Sequence, residues 1–244
     1  MTYNRVLNDN RKKLSRFFYN LIEAVDLPDQ AHLQEEFIQR ACEVRERIKP
    51  CTKYRNVNNL APYVAYFFFK TRGIYMDQLK FLTFIHVSYY EFHKGLKQLI
   101  SHFPKFIHRN RYEIIQNYIF QIWKKLGLKT EFLGLAMQFF KEWYHIFKSK
   151  REEFVAITFL SLAGILLDKE FKCFRFCCYV GVKHSSIYKY LQIMARYFQI
   201  EEFTTVAKSY SLLRNALCRE LPPSIIQKGI INSLTSLKID PEYV

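Results

Sequence analysis

Two stretches of the sequence, FLTFIHVSYYEFHKGLKQLISHF at residues 81–103 and FCCYVGVKHSSIYKYLQIMARYF at residues 176–198, carry the same apolar pattern 95 residues apart. Seven apolar positions of the first stretch fall on seven apolar positions of the second, the last pair being Phe103 and Phe198. Each stretch predicts a short helix, a tight turn and a longer helix. Repeated helix-turn-helix segments are typical of a binding scaffold rather than of a catalytic pocket.

Helical periodicity continues outward from these stretches, and the scarcity of Gly and Pro argues against a β-fold rich in turns. We therefore expect an all-α protein of two tandem five-helix units followed by a helical extension. The predicted helices of the first unit are 8–25, 29–47 (capped by Asp29), 58–72, 77–86 and 89–103. Those of the second unit are 109–126, 130–147, 151–167, 169–179 and 184–198. The extension holds helices 203–219 and 224–237, which we expect to pack on the second unit, docking on a partner being the alternative. The predicted domains are 1–104, 105–199 and 200–244.

The third predicted helix of each unit is apolar on nearly every side. In the first unit it contains Ala61, and in the second unit Ala156 occupies the matching position. A helix without a polar face is typically surrounded by other helices. We therefore expect each unit to be built around an enclosed central helix.

The chain is strongly basic, with 37 Lys and Arg against 22 Asp and Glu and a formal net charge of +15. Residues 1–104 hold 16 basic and 10 acidic side chains, residues 105–199 hold 16 and 7, and residues 200–244 hold 5 and 5. The two predicted units therefore carry the whole excess. A basic surface of this size attracts polyanions, and nucleic acid is the default candidate. The alternative is an ordinary solvated surface in a protein from a lysine-rich, AT-biased genome.

The sequence contains no phosphate-binding loop and no zinc-peptidase or serine-hydrolase motif, so we expect neither an enzyme nor a cofactor. The six Cys form no C-x-x-C pair. Cys173 and Cys177 lie one helical turn apart and are expected to fill a buried helix face, a shared metal being the alternative. We expect no signal peptide, and the longest apolar run, Phe154–Leu167, has 14 residues, too few to span a bilayer.

The predicted helix 184–198 presents a polar face with the composition of a DNA-contacting surface. Its apolar stripe consists of Ile187, Leu191, Met194 and Phe198. The opposite face carries Ser185, Lys189, Gln192 and Arg196. Lys and Arg reach phosphates, Gln pairs with adenine, and Ser permits close approach. The matching face of the first unit offers Tyr90, Lys94 and Lys97, and the alternative for both helices is an ordinary solvated face.

The helix order and several short motifs resemble the cyclin-like core repeats of transcription factor IIB and of its archaeal counterpart. The motifs are APYVAYFFF at residues 61–69 up to Gly73, Val87-Ser88 leading to Phe92 and Lys97, Val155-Ala156-Ile157, and GVKHSSI at residues 181–187. The resemblance covers residues 8–198. It implies a protein that clamps a complex of TATA-binding protein and promoter DNA, with its second recognition helix in the major groove. On that basis the DNA side comprises Lys183, His184, Ser185, Ser186, Lys189 and Gln192.

The family normally begins with a zinc ribbon that engages RNA polymerase, and this sequence lacks the ribbon cysteines. We expect promoter DNA and a TATA-binding protein or analogue as partners, with RNA polymerase engaged by a route other than the ribbon, and no membrane. Both an initiation factor and a regulator that only occupies the promoter are compatible with these expected partners. A cyclin-type regulatory subunit of a kinase and a protein-interaction adaptor are the alternatives. The expected location is the nucleus in a eukaryote, and the cytoplasm or a viral factory otherwise.

Overall fold

The structure, a computed structural model, describes residues 2–167, 171–200 and 206–220, which contain α-helices and short 3-10 turns but no β-strand. The all-α prediction is therefore confirmed. The first helices are α1 (Thr2–Ala24), α2 (Gln34–Arg47), α3 (Val57–Thr71), α4 (Gln78–Ile85), α5 (Tyr89–Leu99) and α6 (Pro104–Ile107). They are followed by α7 (Arg111–Lys125), α8 (Thr130–Trp143), α9 (Glu152–Leu167), α10 (Cys173–Tyr179), α11 (His184–Tyr197) and α12 (Val206–Glu220). None of these described helices is long and apolar enough to cross a membrane.

The chain divides into two compact units, residues 1–114 and 115–244, and the dividing point falls within α7. The boundary predicted from the sequence, after residue 104, falls after the first residue of the short helix α6. The predicted helix 224–237 lies outside the described residues. We call residues 1–114 unit 1 and residues 115–244 unit 2.

Unit 1 is built around α3, which is buried over almost its whole length and packs against α1, α2, α5 and α6. Asn56 begins the helix, because its side chain accepts a hydrogen bond of 3.0 Å from the Asn58 amide. Gly73 follows the last turn with a φ of 63°, a conformation that glycine adopts without a side-chain penalty. The prediction of an enclosed central helix is confirmed for this unit.

Unit 2 is built around α9, which is equally enclosed and packs against α8, α10, α11 and α12. The buried Thr158 is compatible with this environment because its hydroxyl donates a 2.6 Å hydrogen bond to the Phe154 carbonyl. On α12, Leu213 and Leu217 are fully buried, and the Arg214 side chain donates a 2.6 Å hydrogen bond to the Ile165 carbonyl near the end of α9. The first helix of the predicted extension is therefore part of unit 2.

Three successive helices of each unit keep a constant spacing. Helices α3, α4 and α5 begin at Val57, Gln78 and Tyr89, and α9, α10 and α11 begin 95 residues later at Glu152, Cys173 and His184. The residue with positive φ in the turn obeys the same spacing, since His86 (52°) matches Gly181 (68°). The structure thus contains, at the level of helix order, the repeat that the apolar pattern predicted.

The second helix begins differently from the prediction. Asp29 does not cap it, because residues Pro28–Leu33 form a 3-10 helix and α2 starts after Leu33, without a side-chain cap. Glu35 and Glu36 instead supply negative charge in the first turn, where it favours the helix dipole.

Candidate nucleic-acid interface

The turn between α10 and α11 fixes the direction in which α11 leaves. Gly181 adopts a φ of 68°, and its amide donates a 3.2 Å hydrogen bond to the Cys178 carbonyl. The Val182 amide then bonds the Cys177 carbonyl at 3.0 Å, which closes the end of α10. A residue with a side chain would be strained at position 181 in this conformation, and the backbone of the turn therefore explains why a glycine occupies this position.

The inner stripe of α11 is the one predicted from the sequence. Ile187, Leu191 and Met194 are completely buried, and Phe198 is 6% exposed. The Phe198 ring meets Trp143 edge-on at 5.1 Å, which anchors the end of α11 on the end of α8. The predicted apolar stripe is confirmed, and it determines which side chains face outward.

The outward side of α11 is basic. Ser185, Lys189 and Arg196 are exposed, whereas Ser186 and Gln192 are half-buried. Residues 171–200 contain five Lys or Arg and no Asp or Glu. Among the ion pairs of the described residues, none involves Lys183, Lys189 or Arg196. The positive charge of this surface is therefore not neutralised by carboxylates within the described part of the chain.

The beginning of α11 adds to this positive potential. Lys183 is the N-cap residue, is exposed and makes no side-chain capping bond, and the first turn contains no acidic residue. The first turn of a helix carries partial positive charge from its aligned peptide dipoles. Lys183 thus places a full positive charge beside a partial one, an arrangement that favours an approaching anion.

His184, the first residue of α11, is engaged inside unit 2. Its Nε2 atom lies 3.4 Å from the Tyr210 hydroxyl, and its ring lies 6.0 Å from the Phe174 ring and 6.1 Å from the Tyr188 ring. The imidazole is half-buried, so only part of it is available to an external partner. The sequence does not predict the contact between His184 and Tyr210, because 26 residues separate them and no sequence pattern connects them.

A small polar cluster lies behind this contact. The Sγ atoms of Cys173 and Cys177 are 3.9 Å apart, and Cys173 Sγ lies 3.8 Å from the Ser161 hydroxyl. The hydrogen bond between the two thiols lowers the pKa of Cys173, against the effect of burial, and hydrogen bonds with Tyr210 and Ser161 lower it further. Both thiols are buried, as predicted, and the described residues contain no group of three or more potential metal ligands.

In unit 1 the corresponding helix α5 presents a different surface. Lys94 and Lys97 are exposed, as the sequence predicted, and Tyr90 is 76% exposed. The helix begins with a capping box: the Ser88 hydroxyl accepts from the Glu91 amide, and the Glu91 carboxylate accepts from the Ser88 amide and hydroxyl. These hydrogen bonds from Ser88 lower the pKa of Glu91.

Unit 1 also contains a cleft of about 470 Å³ between α2, α3 and the segment that follows α5. Its floor is aromatic, with Phe67, Phe68 and Phe103 largely buried. On the rim, the Arg72 guanidinium lies 3.6 Å from the centre of the Phe68 ring and pairs with Glu36. The cleft thus combines an apolar floor with lining side chains of both charges, the basic Arg40, Arg72 and Lys105 and the acidic Glu36 and Glu43.

Comparison with known proteins does not identify the chain: no family model, no curated protein and no solved structure is significantly similar to it. The site must therefore be interpreted from its own residues.

Proposed function

We propose that this protein is a transcription initiation factor of the transcription factor IIB type, which binds promoter DNA together with a TATA-binding protein or an analogue. The observation that carries the proposal is the uncompensated positive surface of α11, with Lys183, Lys189 and Arg196 on a helix that follows a tight turn. The repeated helix order and the enclosed central helices are compatible with the tandem cyclin-like repeats of that family.

In this proposal α11 docks on duplex DNA mainly through phosphates. Lys183 and the first turn of α11 bind one phosphate, while Lys189 and Arg196 bind others further along the helix. Gln192 reads adenine and Ser185 permits the helix to approach the groove closely. Lys94 and Lys97 of unit 1 add contacts to the sugar-phosphate backbone. RNA polymerase is engaged through another surface, without a zinc ribbon.

The electrostatic part of the proposal has a quantitative consequence. If about six phosphates are neutralised, the affinity for duplex DNA falls roughly a thousandfold between about 50 and 200 mM salt, because each neutralised phosphate releases condensed counterions. An affinity that is insensitive to salt would contradict phosphate docking.

The decisive experiment compares two double variants of equal charge. Lys183→Glu/Lys189→Glu reverses two charges on the proposed DNA face, while Lys124→Glu/Lys141→Glu reverses two exposed charges on α7 and α8. We expect the first variant to lose duplex binding in a gel-shift assay and the second to retain most of it. Equal loss in both variants would mean that only net charge matters, and the proposed face would then be wrong.

A footprint on promoter fragments, with and without TATA-binding protein, tests the partner. We expect protection next to the TATA element that strengthens when TATA-binding protein is present, since the two proteins bind adjacent DNA. Protection that is independent of TATA-binding protein would support DNA binding but contradict the proposed partnership with TATA-binding protein.

A protein-interaction adaptor is the second candidate, and the aromatic cleft of unit 1 is the observation that favours it. It predicts that a TATA-binding protein or RNA polymerase co-purifies with the chain after nuclease treatment. Lys105→Glu, which changes an exposed residue lining the cleft, should weaken this co-purification while α11 variants do not. Retention that depends on DNA and on Lys183 and Lys189 would favour the first proposal.

A further inference from the structure

Helices α5 and α11 occupy equivalent positions, yet their second residues differ greatly in size. Tyr90 is the second residue of α5, and Ser185 is the second residue of α11. Tyr90 is 76% exposed and Ser185 is also exposed, so both side chains face outward. A serine lets a helix approach a duplex groove closely, whereas a projecting tyrosine ring holds the helix away from it.

The residues that share a face with Tyr90 are cationic. Lys94 and Lys97 follow at i+4 and i+7, so the three side chains lie on one side of α5, and all three are exposed. We call Tyr90, Lys94 and Lys97 the Tyr90 face. Among the ion pairs of the described residues, none involves either lysine.

The one carboxylate in the first turn of α5 is directed elsewhere. Glu91 accepts hydrogen bonds from Ser88 at 2.7 Å (hydroxyl) and 3.3 Å (amide), which hold it over the end of the helix. It therefore completes the cap and does not pair with Lys94 or Lys97.

Tyrosines also flank Lys189 in unit 2, but their rings contact other side chains of that unit. The Tyr190 ring stacks on Phe147 at 5.8 Å and its hydroxyl accepts from the Arg151 amide at 3.3 Å. Tyr188 is half-buried near His184. The exposed ring of α11 is that of Tyr197, which is the last residue of the helix and lies 6.0 Å from the His145 ring. An exposed aromatic ring in the first turn, on the same side as two exposed lysines, is thus a feature of α5 and not of α11.

We propose that the Tyr90 face binds a single-stranded segment of nucleic acid, with an unpaired base stacked on the Tyr90 ring and adjacent phosphates bound by Lys94 and Lys97. Exposed aromatic rings interleaved with basic side chains are the general means by which proteins hold single strands without reading their sequence. The inference rests on nucleic-acid binding by the chain as proposed above, and it assigns different strand states to the two helices. α11 binds paired DNA, whereas the backbone contacts that the proposed function gives to Lys94 and Lys97 are made where the bases have become unpaired.

The test measures binding of the full chain to a labelled oligothymidine and to a labelled duplex by fluorescence anisotropy. Tyr90→Ser installs the residue found at the equivalent position of α11, and Tyr90→Phe keeps the ring. Tyr19→Ser is the matched control, because Tyr19 is a 59% exposed tyrosine on α1. We expect Tyr90→Ser to weaken oligothymidine binding by roughly five- to a hundredfold, the range for loss of one stacked base. Duplex binding by Tyr90→Ser, and both affinities of the other two variants, should stay near those of the wild type.

The outcomes separate this inference from the proposed function. If the wild type binds duplex but not oligothymidine, or if Tyr90→Ser leaves oligothymidine binding unchanged, the inference is wrong and the proposed function stands. Equal weakening by Tyr90→Phe and Tyr90→Ser would show that the hydroxyl matters rather than the ring, and would also overturn it. If the wild type binds neither probe, the proposed function fails and the inference fails with it.

Discussion

Helices α5 and α11 hold the same place in the helix order of their units, but their first turns are chemically opposite. α5 is closed by the Ser88 hydroxyl and carries Glu91, whereas α11 follows Lys183, which makes no capping bond. A capped, acid-containing turn stabilises the helix and leaves little attraction for an anion, while an uncapped basic turn does the reverse. The first turn of α5 is thus satisfied by its own side chains, whereas the first turn of α11 has no side-chain cap.

The two units also place large and small side chains on different helices at equivalent positions. In unit 1 the large Tyr63 of α3 lies against Gly95 of α5. At the positions 95 residues later, α9 has the small Thr158 and α11 has the large Tyr190. Large and small residues have thus exchanged helices, and the same helix order is compatible with either choice.

The largest effect that tests this comparison is expected for Gly95→Ala. A Cβ atom at Gly95 would overlap the Tyr63 ring, and that ring is wedged between Tyr54 at 5.3 Å and Phe92 at 5.2 Å. We expect a loss of about 1–3 kcal/mol in the free energy of unfolding, as for other overpacked cores. Urea unfolding followed by circular dichroism measures it.

Gly134→Ala is the control for this substitution, because Gly134 is exposed on α8 and no atom lies within 4 Å of the added methyl group. It should stabilise the protein by about 0.5–1 kcal/mol through helix propensity. If Gly95→Ala stabilised the protein similarly, the described fit between α3 and α5 would be incorrect.

The next effect concerns the cap of α5. Ser88→Ala removes the hydroxyl that accepts from the Glu91 amide, and we expect a loss of about 1 kcal/mol in the free energy of unfolding. Ser185→Ala on α11 is the matched substitution, since this exposed serine lies inside its helix and is not an N-cap. Unfolding curves should differ clearly between the two variants, and equal curves would contradict the capping role of Ser88.

Transferring the cap from unit 1 to unit 2 tests both halves of the comparison. Lys183→Ser/Ser186→Glu places a capping box at the start of α11, which should stabilise the helix by about 0.5–1 kcal/mol. The same variant should weaken duplex DNA binding, because it removes the positive charge of Lys183 and adds a carboxylate that repels phosphate. The unfolding temperature should rise while the affinity for duplex DNA falls. If both quantities rose or both fell, the first turn of α11 would not be part of the DNA-binding surface.

The smallest effect is a pH dependence of the cap. The hydrogen bonds from Ser88 lower the pKa of Glu91 below its ordinary value of 4.5. Its contribution to stability is therefore fully present above about pH 4.5 and disappears as the pH falls through the lowered folded-state pKa. The difference in unfolding free energy between wild type and Glu91→Gln should shrink in acid, and a difference that grew in acid would have the wrong sign.

The sequence predicted helices well and cap details poorly, for a physical reason. The stripe of Ile187, Leu191 and Met194 follows from helical periodicity alone, and all three are fully buried. Asp29 had the right residue type for a cap, but the chain forms a 3-10 helix there and α2 begins later. Cap position depends on where neighbouring segments pack, which a local pattern does not contain.

The candidate site shows the same limit. Exposure of Lys183, Lys189 and Arg196 was predictable, because each lies away from the apolar stripe. The contact of His184 with Tyr210 and the stacking of Tyr190 on Phe147 depend on how distant segments fold. Periodicity assigns a residue to a face, and only packing decides whether that face is covered.

By itself, the order of residues determined an all-α chain, its repeated helix order, its two enclosed helices and its excess of positive charge. These features depend on apolar periodicity and composition, which are local or additive properties. The tertiary structure alone decided that α12 packs on α9, that Tyr63 lies against Gly95, and that Tyr190 stacks on Phe147. Each of these depends on volumes and contacts between residues far apart in the chain, which become defined only when the helices pack together.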